Sequence, residues 1–410
     1  MRAGRLADIL LAAVAILLAY GVGEGALYVL VMFDRDAARG TLYRVEDAYV
    51  SNRPIAVFDQ VSGYRRTPGP TRIARIVHDT VVFDRVFTPN NTGYISARDY
   101  AHDTPPDTAR MVVLGDSFTA AEFNDKPWPD AVNDALRGRT ASPVELYSFA
   151  VNGAGLGNWH NIFFNDIVPH YAFDTLVIAI FGDDLLRGYS YLHYDGPEPY
   201  IGYFPTRAES PEDFFANYFP RMQRHTAQVL TDDEIDALEH GERPAWRRPA
   251  LKLRLPEMAR RGMAALRQPR RQDTAVATPP PLEGDVTLAA LEARYGPEAS
   301  ARFREIMTYC RDHGIPVLLV AIPGREDATA AAEGKPDTAN QKEVRTLAEA
   351  YGASYLDGHT AFAGIPPGDV DLRYWLKYDA HWNQAGSDRF AAAMTDFLLA
   401  HPELVTRHGR

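Results

Sequence analysis

Met111-Val-Val-Leu-Gly-Asp-Ser-Phe118 is the stretch that decides how this chain is read. An apolar run of this kind fits a strand covered on both faces. Gly-Asp-Ser at its end reads as a sharp strand-to-helix turn that lifts a hydroxyl to the carboxyl edge of a sheet, where open α/β proteins keep their sites. Alone the tripeptide is a weak signal, because a Ser after Gly-Asp also serves as a helix N-cap. It gains weight from Tyr378-Asp-Ala-His-Trp-Asn383 near the other end. There His381 offers a base and Asp379 a group to orient it. Ser117, Asp379 and His381 then make a Ser-His-Asp triad, whose chemistry is acyl transfer or ester hydrolysis. The serine and histidine are 264 residues apart, so only a fold can join them.

Outward from the serine, strands and helices alternate. Residues 118–136 have the length of a helix, limited by Pro127 and Pro129. A strand at 144–151 ends in Asn152-Gly-Ala-Gly-Leu-Gly157, and a helix follows through His160 to Ile167. Residues 175–181 are a third strand, almost wholly apolar. Residues 301–313 read as a helix, 315–322 as a strand, 342–351 as a helix and 353–356 as a short strand. The last helix, 384–400, has Asn383 as its N-cap. This alternation predicts an α/β domain: a parallel sheet with helices on both faces.

Two regions interrupt the rhythm. Residues 40–109 read as a β-rich segment, with strand-like alternation at 72–78 and 80–87 and a turn at 89–93. Residues 188–300 read as an inserted cap. Its front is aromatic (Tyr189, Tyr191, Tyr194, Tyr200, Tyr203), fit either to stack on sugar rings or to form the cap's own core. Its back, from Arg243 to Arg271, is basic. That stretch suits either anionic lipid and acidic glycan or a solvated face. Residues 272–281 read as a loop. The expected divisions are thus 1–39, 40–109, 110–187, 188–300 and 301–410, with the second preceding and the fourth interrupting the two halves of one α/β domain.

The first 39 residues have another character. Arg2 and Arg5 precede an apolar run over 9–20, and a second run covers 26–33, with Glu24 between them. As a helix, 9–33 is roughly 37 Å long, enough to span a bilayer. A membrane anchor is expected rather than a cleaved signal peptide, because the apolar run resumes after Glu24 and no Ala-x-Ala site is evident. A short basic tail before a first span stays inside. Arg35, Arg39 and Arg44 blur the charge bias. The expected arrangement is a single pass through the inner (plasma) membrane with the large domain periplasmic.

Composition sets limits. The 410 residues carry a net charge of −11, which argues against general nucleic-acid binding. A lone cysteine, Cys310, excludes an internal disulfide and suits a small apolar packing role. No Cys/His cluster has zinc spacing. No metal or cofactor is called for.

Taken together, these motifs resemble the SGNH, or GDSL-like, hydrolase superfamily over residues 110–185 and 300–400. The resemblance implies an SGNH/flavodoxin-like fold, with Ser117 as nucleophile and its backbone N–H in the oxyanion hole. The second donor it implies is the N–H of Gly157, five positions after Asn152. Its third block, Gly-x-Asn-Asp or a Phe-x-x-Asn-Asp variant, reads here Phe181-Gly-Asp-Asp184. Asp183 therefore stands where an Asn side chain would help hold the oxyanion. An ionised carboxylate cannot donate. Asp183 is then protonated by burial, or turned away, or the mark of an inactive site. Asp184 is either a helix N-cap or a brace for its loop. The Asp-x-His-Trp form and the N-terminal span are similar to anchored members resembling alginate O-acetyltransferases. The function implied is a serine esterase or O-acyltransferase acting through an acyl-serine on O-acyl groups, O-acetyl above all, of an envelope glycan, with a membrane acyltransferase as partner. A lipase or thioesterase, or a catalytically weak glycan-binding subunit, are the alternatives.

Overall fold

The computed structural model describes residues 14–15, 18–23, 47–77, 80–189, 191–195, 198–202, 224–225, 228–240, 286–335 and 337–408. They fall into a large unit drawn from 48–75, 81–235 and 275–410 and a small one drawn from 1–47, 76–80 and 236–274. In the small unit residues 14–15 and 18–23 are helical, and Val14, Leu18 and Val22 are exposed. Most of the expected anchor and the basic stretch 243–271 lie outside the described residues. Among the described residues no helix is long and apolar enough to cross a membrane.

The β-rich start forms short strands: β1 (Asp47–Ser51), β2 (Ala56–Asp59), β3 (Gly63–Arg66), β4 (Thr71–Val77) and β5 (Thr80–Phe87). β2 and β3 are an antiparallel hairpin whose turn is tied by Asp59, which accepts from Ser62 N–H and Oγ at 2.6 Å. The hairpin is fastened to the α/β domain. Tyr64 Oη donates to the Asn152 carbonyl at 2.6 Å, and Asn158 Nδ2 donates to the Ser62 carbonyl at 2.9 Å. Asn158 and Asn161 thus clasp this turn, Asn161 through the Val61 carbonyl at 2.7 Å.

The sheet that follows is the parallel one the apolar runs predict. Its strands are β6 (Ala109–Leu114), β7 (Val144–Ser148), β8 (Thr175–Phe181), β13 (Val317–Ile322) and β14 (Ser354–Asp357). Between β8 and β13, within the expected insertion, lie β9 (Tyr191–Asp195), β10 (Glu198–Gly202), β11 (Arg224–His225) and β12 (Gln228–Val229). The five strands run in the order β14-β13-β8-β6-β7, each pair parallel. Counted along the chain this is the doubly wound order 2-1-3-4-5, whose direction of winding reverses between β6 and β8. The two halves of the chain, before and after the insertion, share this one sheet.

Alternate residues feed two cores. Val112, Leu114, Leu176, Ile178, Ile180 and Leu319 face one layer with Trp159, Phe163, Ile306 and Cys310. Met111, Val113, Val177, Ala179, Leu318 and Val320 face the other, with Trp128, Trp382, Phe390 and Met394. Strands buried on both faces can be apolar throughout, as these are.

The helices that matter to the site are α1 (Ser117–Ala120), α2 (Trp128–Leu136), α3 (Leu156–Ile162), α4 (Pro297–Asp312), α5 (Arg325–Ala332), α6 (Ala339–Tyr351), α7 (Pro367–Tyr374) and α8 (Gln384–Ala400). The long helix expected over 118–136 is two. α1 stops at Ala121, which takes a left-handed conformation, and α2 restarts with Pro129 in its first turn, where a missing N–H costs nothing. α3 runs on into a π-turn over Phe163–Ile167. α8 starts as expected, with Asn383 Oδ1 accepting from Gly386 N–H at 3.1 Å.

Candidate active site

Gly115 explains why the turn after β6 is so sharp. A Cβ there would lie 2.3 Å from Thr119 Oγ1 and 2.6 Å from its Cβ, so no side chain fits. Asp116 then caps α1, its Oδ1 accepting from Phe118 N–H at 2.9 Å. The turn leaves Ser117 partly exposed at the carboxyl end of β6, beside the reversal in winding order. Among the described residues nothing accepts its backbone N–H.

The opposite wall is the loop between α7 and α8. Its base is closed by an antiparallel bridge between Trp375 and Trp382 and by Leu376 N–H donating to the His381 carbonyl at 2.9 Å. Tyr378 sits in the left-handed region at φ 62°, which lets the chain reverse within this short span. Trp375 Nε1 donates to the Ala380 carbonyl at 2.9 Å, and Trp382 is fully buried, stacked on Phe390 at 5.0 Å.

The fold brings the three predicted side chains into one hydrogen-bonded line. Ser117 Oγ is 2.7 Å from His381 Nε2, and His381 Nδ1 is 2.5 Å from Asp379 Oδ1. The same Asp379 oxygen accepts from His381 N–H at 3.0 Å. Phe118 and Phe123, neither singled out in the sequence, pack against the imidazole with ring centroids 4.8 and 4.6 Å away. Burial alone would raise the Asp379 carboxyl. The hydrogen bonds and charge of His381, together with Arg75, overcome it and hold the group well below the ordinary carboxylate range.

Three arginines unmarked by any motif organise the surroundings. Arg75, from β4, pairs through Nη1 with Asp379 Oδ2. Arg325, at the start of α5, donates through Nη2 to the carbonyls of Leu376 and Asp379 and pairs through Nε with Asp371 of α7 at 3.1 Å. Arg187 stands on the serine side, among three carboxylates. Its Nη1 lies 2.7 Å from Asp184 Oδ1 and 3.6 Å from Asp116 Oδ2, and its Nη2 donates to Asp183 Oδ1 at 2.8 Å.

One expectation about the oxyanion hole is corrected here. Gly157 N–H is not free: it donates to the Arg187 carbonyl at 3.2 Å. Gly157 is glycine because Gly188 backbone packs on it, 2.6 Å from where a Cβ would sit. Asp183 Oδ1 accepts from Arg187 Nε and Nη2, at 3.1 and 2.8 Å, which matches the turned-away alternative. Asp184 is a brace, its Oδ2 accepting from Phe181 N–H at 2.8 Å. Burial and the neighbouring Asp116 charge push the Asp184 carboxyl well above the ordinary value, against Arg187. Asp116 is also raised, by burial, with Arg187 opposing. His160, near this turn in sequence, is 2.6 Å from Glu305. Tyr189 is buried under Arg302, whose guanidinium carbon is 5.3 Å from the ring centroid.

A second Asp-x-His pair shows what the local motif does by itself. Asp357 Oδ1 accepts from His359 N–H at 3.0 Å and lies 2.9 Å from His359 Nδ1, the arrangement seen at Asp379 and His381. Here, among the described residues, the far ring nitrogen is buried without a hydrogen-bond partner, 3.9 Å from Asp327 Oδ2, and no hydroxyl meets it. The Asx-type turn is generic; a serine at its end is what distinguishes the first pair. Among the described residues no group of His, Cys, Asp and Glu is arranged to hold a metal ion.

No protein-family model matches the chain, and no curated protein matches it. Solved structures align with it only loosely. A lipase/acylhydrolase from Enterococcus faecalis is 12% identical, with a TM-score of 0.35 over 72% of this chain and 96% of that one. A GDSL-like lipase from Parabacteroides merdae is 11% identical, with a TM-score of 0.35 over 72% and 98%. An acetylxylan esterase from Geobacillus stearothermophilus is 13% identical, with a TM-score of 0.35 over 74% and 97%. Likeness of this degree says nothing about the reaction, which must be judged from the site itself.

Proposed function

We propose that the chain is a serine esterase or O-acyltransferase that works through an acyl-serine. The observation that carries this reading is the line Ser117 Oγ, His381, Asp379, with contacts of 2.7 and 2.5 Å. In the proposed cycle Ser117 Oγ attacks the acyl carbonyl while His381 Nε2 takes its proton. Asp379 holds the imidazole in the tautomer that can do so. The backbone N–H of Ser117 supports the developing oxyanion. The imidazolium then protonates the departing alkoxide, and water or a second alcohol discharges the acyl-serine by the reverse steps. The finer reading is an O-acyl, above all O-acetyl, group on an envelope glycan. In it the domain lies outside the cytoplasm, held by a span over 9–33 and served by a membrane acyltransferase. The apolar run behind Arg2 and Arg5 supports the anchor.

A second reading has support too: a binding subunit with little turnover. Gly157 N–H is engaged and Asp183 is a carboxylate, so two of the three donors the resemblance implies are missing. Loss of one such donor slows catalysis by about 10²–10³. Labelling with a fluorophosphonate and hydrolysis of 4-nitrophenyl acetate by the full chain separate the two. Wild type should label and turn over, and Ser117→Ala should do neither while melting at the same temperature. An unlabelled, well-folded wild type favours the binding reading. Unchanged turnover by Ser117→Ala removes the serine from the mechanism.

A further inference from the structure

We propose that Arg75, on strand β4 and outside both sequence motifs, is a positioning residue of the triad: it grips one oxygen of Asp379 so that the other is presented to His381. The inference rests on the acyl-serine reading above. Asp379 divides its two oxygens cleanly. Oδ1 takes both N–H groups of His381, at 2.5 and 3.0 Å, while Oδ2 takes the Arg75 guanidinium. The pair is sheltered, with the Asp379 side chain 9% and the Arg75 side chain 23% exposed. A carboxylate bonded on one oxygen only can swing about its last torsion, and a sheltered charge without its counter-ion is costly. Arg75 removes both problems. It also makes the β-rich start of the chain a part of the catalytic apparatus, across 304 residues.

Arg75 should be visible in the pH dependence as well as in the rate. The charged groups facing the Asp379–His381 pair come from several elements. Arg75 comes from β4, and Arg325 from α5 touches the Asp379 carbonyl. Asp116 from the serine turn interacts with His381. Within the loop, Lys377 lies over the Tyr378 ring, 5.0 Å from its centroid, and Asp371 is taken up by Arg325. Of these, Arg75 is the cation placed directly on the carboxylate that stabilises the imidazolium. Removing it leaves the Asp379 charge undivided, so protonated His381 becomes easier to form and the base is lost at higher pH.

The test is the pH–rate profile of the full-length protein on 4-nitrophenyl acetate, with fluorophosphonate labelling rate as a second readout. Arg75→Ala should lower kcat about 10–100-fold with KM changed less than about two-fold. It should move the acid limb of kcat/KM up by about one pH unit. Arg75→Lys should recover part of the rate, and added methylguanidinium should speed Arg75→Ala but not wild type. The proposal is overturned by an Arg75→Ala protein with wild-type kcat and acid limb. It is equally overturned by one whose losses follow its melting temperature with the limb unmoved and no rescue. If Arg75→Ala does not fold, Arg75→Lys decides between the same outcomes. Ser117→Ala, run in parallel, distinguishes failures: an inactive Ser117→Ala beside a normal Arg75→Ala sinks this proposal alone, whereas an active Ser117→Ala sinks the nucleophile.

Discussion

The two walls of the site manage their carboxylates in opposite ways. On the histidine wall two arginines serve one loop: Arg75 takes the Asp379 side chain, and Arg325 takes the loop's carbonyls and Asp371. On the serine wall one arginine, Arg187, serves Asp116, Asp183 and Asp184. On the first wall the hydrogen bonds and charge of His381, joined by Arg75, overcome burial and hold the Asp379 carboxyl low. The second cannot neutralise what it holds, and Asp116 and Asp184 are pushed up by burial that Arg187 does not outweigh. Their contributions to stability therefore run in opposite senses with pH. Asp379 binds its proton less readily folded than unfolded, so its stabilisation is present above the ordinary value of 3.8 and is lost as pH falls towards its lowered folded value. Asp184 binds its proton more readily folded. What it contributes is complete below 3.8 and is lost as pH rises through its raised folded value. Carboxylates on two sides of one serine–histidine pair thus differ because the hydrogen bonds and charge of His381, with Arg75 beside them, outweigh burial at Asp379, whereas one guanidinium shared among three acids does not outweigh it at Asp116 and Asp184.

Removing Arg187 should break the contrast most severely. Arg187→Met leaves Asp116 and Asp184, both essentially buried, without their cation. Breaking a buried pair costs roughly 3–5 kcal/mol. The loss, measured by urea unfolding, should be larger at pH 8 than at pH 5, because at pH 5 the carboxyls can take protons instead. A loss of equal size at both values would mean that Arg187 acts by packing. Next in size is Asp184→Asn, which imitates the protonated acid. It should flatten the decline in wild-type stability that sets in as pH rises above 3.8. An unaltered slope would place the titrating group elsewhere. Smallest is Asp183→Asn. Its carboxylate is a third exposed and its guanidinium partner keeps two other acids, so stability should change by under about 1 kcal/mol. Ester turnover should stay within about two-fold. A tenfold rise would return Asp183 to the oxyanion hole.

Much of this was legible in the residues because it is written in short patterns. The runs at 111–114 and 175–181 read as strands covered on both sides, and both are central in the sheet. The strand expected over 144–151 is named only to Ser148. Yet Phe149 N–H still donates to the Val113 carbonyl at 2.8 Å and Val151 N–H to Gly115 at 3.3 Å, so the pairing continues past its formal end. Helices α5 and α7 have no motif to announce them, although they carry Arg325 and Asp371 to the histidine loop. The arginines were invisible for a plain reason. A pairing between residues 75 and 379 leaves no local spacing to detect, and Arg187 looks like any surface cation until three acids converge on it. Gly157 shows the converse. The family resemblance picked out a glycine that matters, but not what its N–H does, because the Arg187 carbonyl that accepts from it arrives from another strand's loop.

The distance of 264 residues between Ser117 and His381 also has a meaning in time. Ribosomes add about 5–20 residues per second. The serine therefore emerges roughly 13–53 s before the histidine that would deprotonate it. Through that interval it is an ordinary alcohol, even with β6 and its turn already made. Under the acyl-serine proposal, reactivity arrives with the loop between α7 and α8, and a polypeptide cut between Ser117 and that loop carries the proposed nucleophile without the base that would activate it.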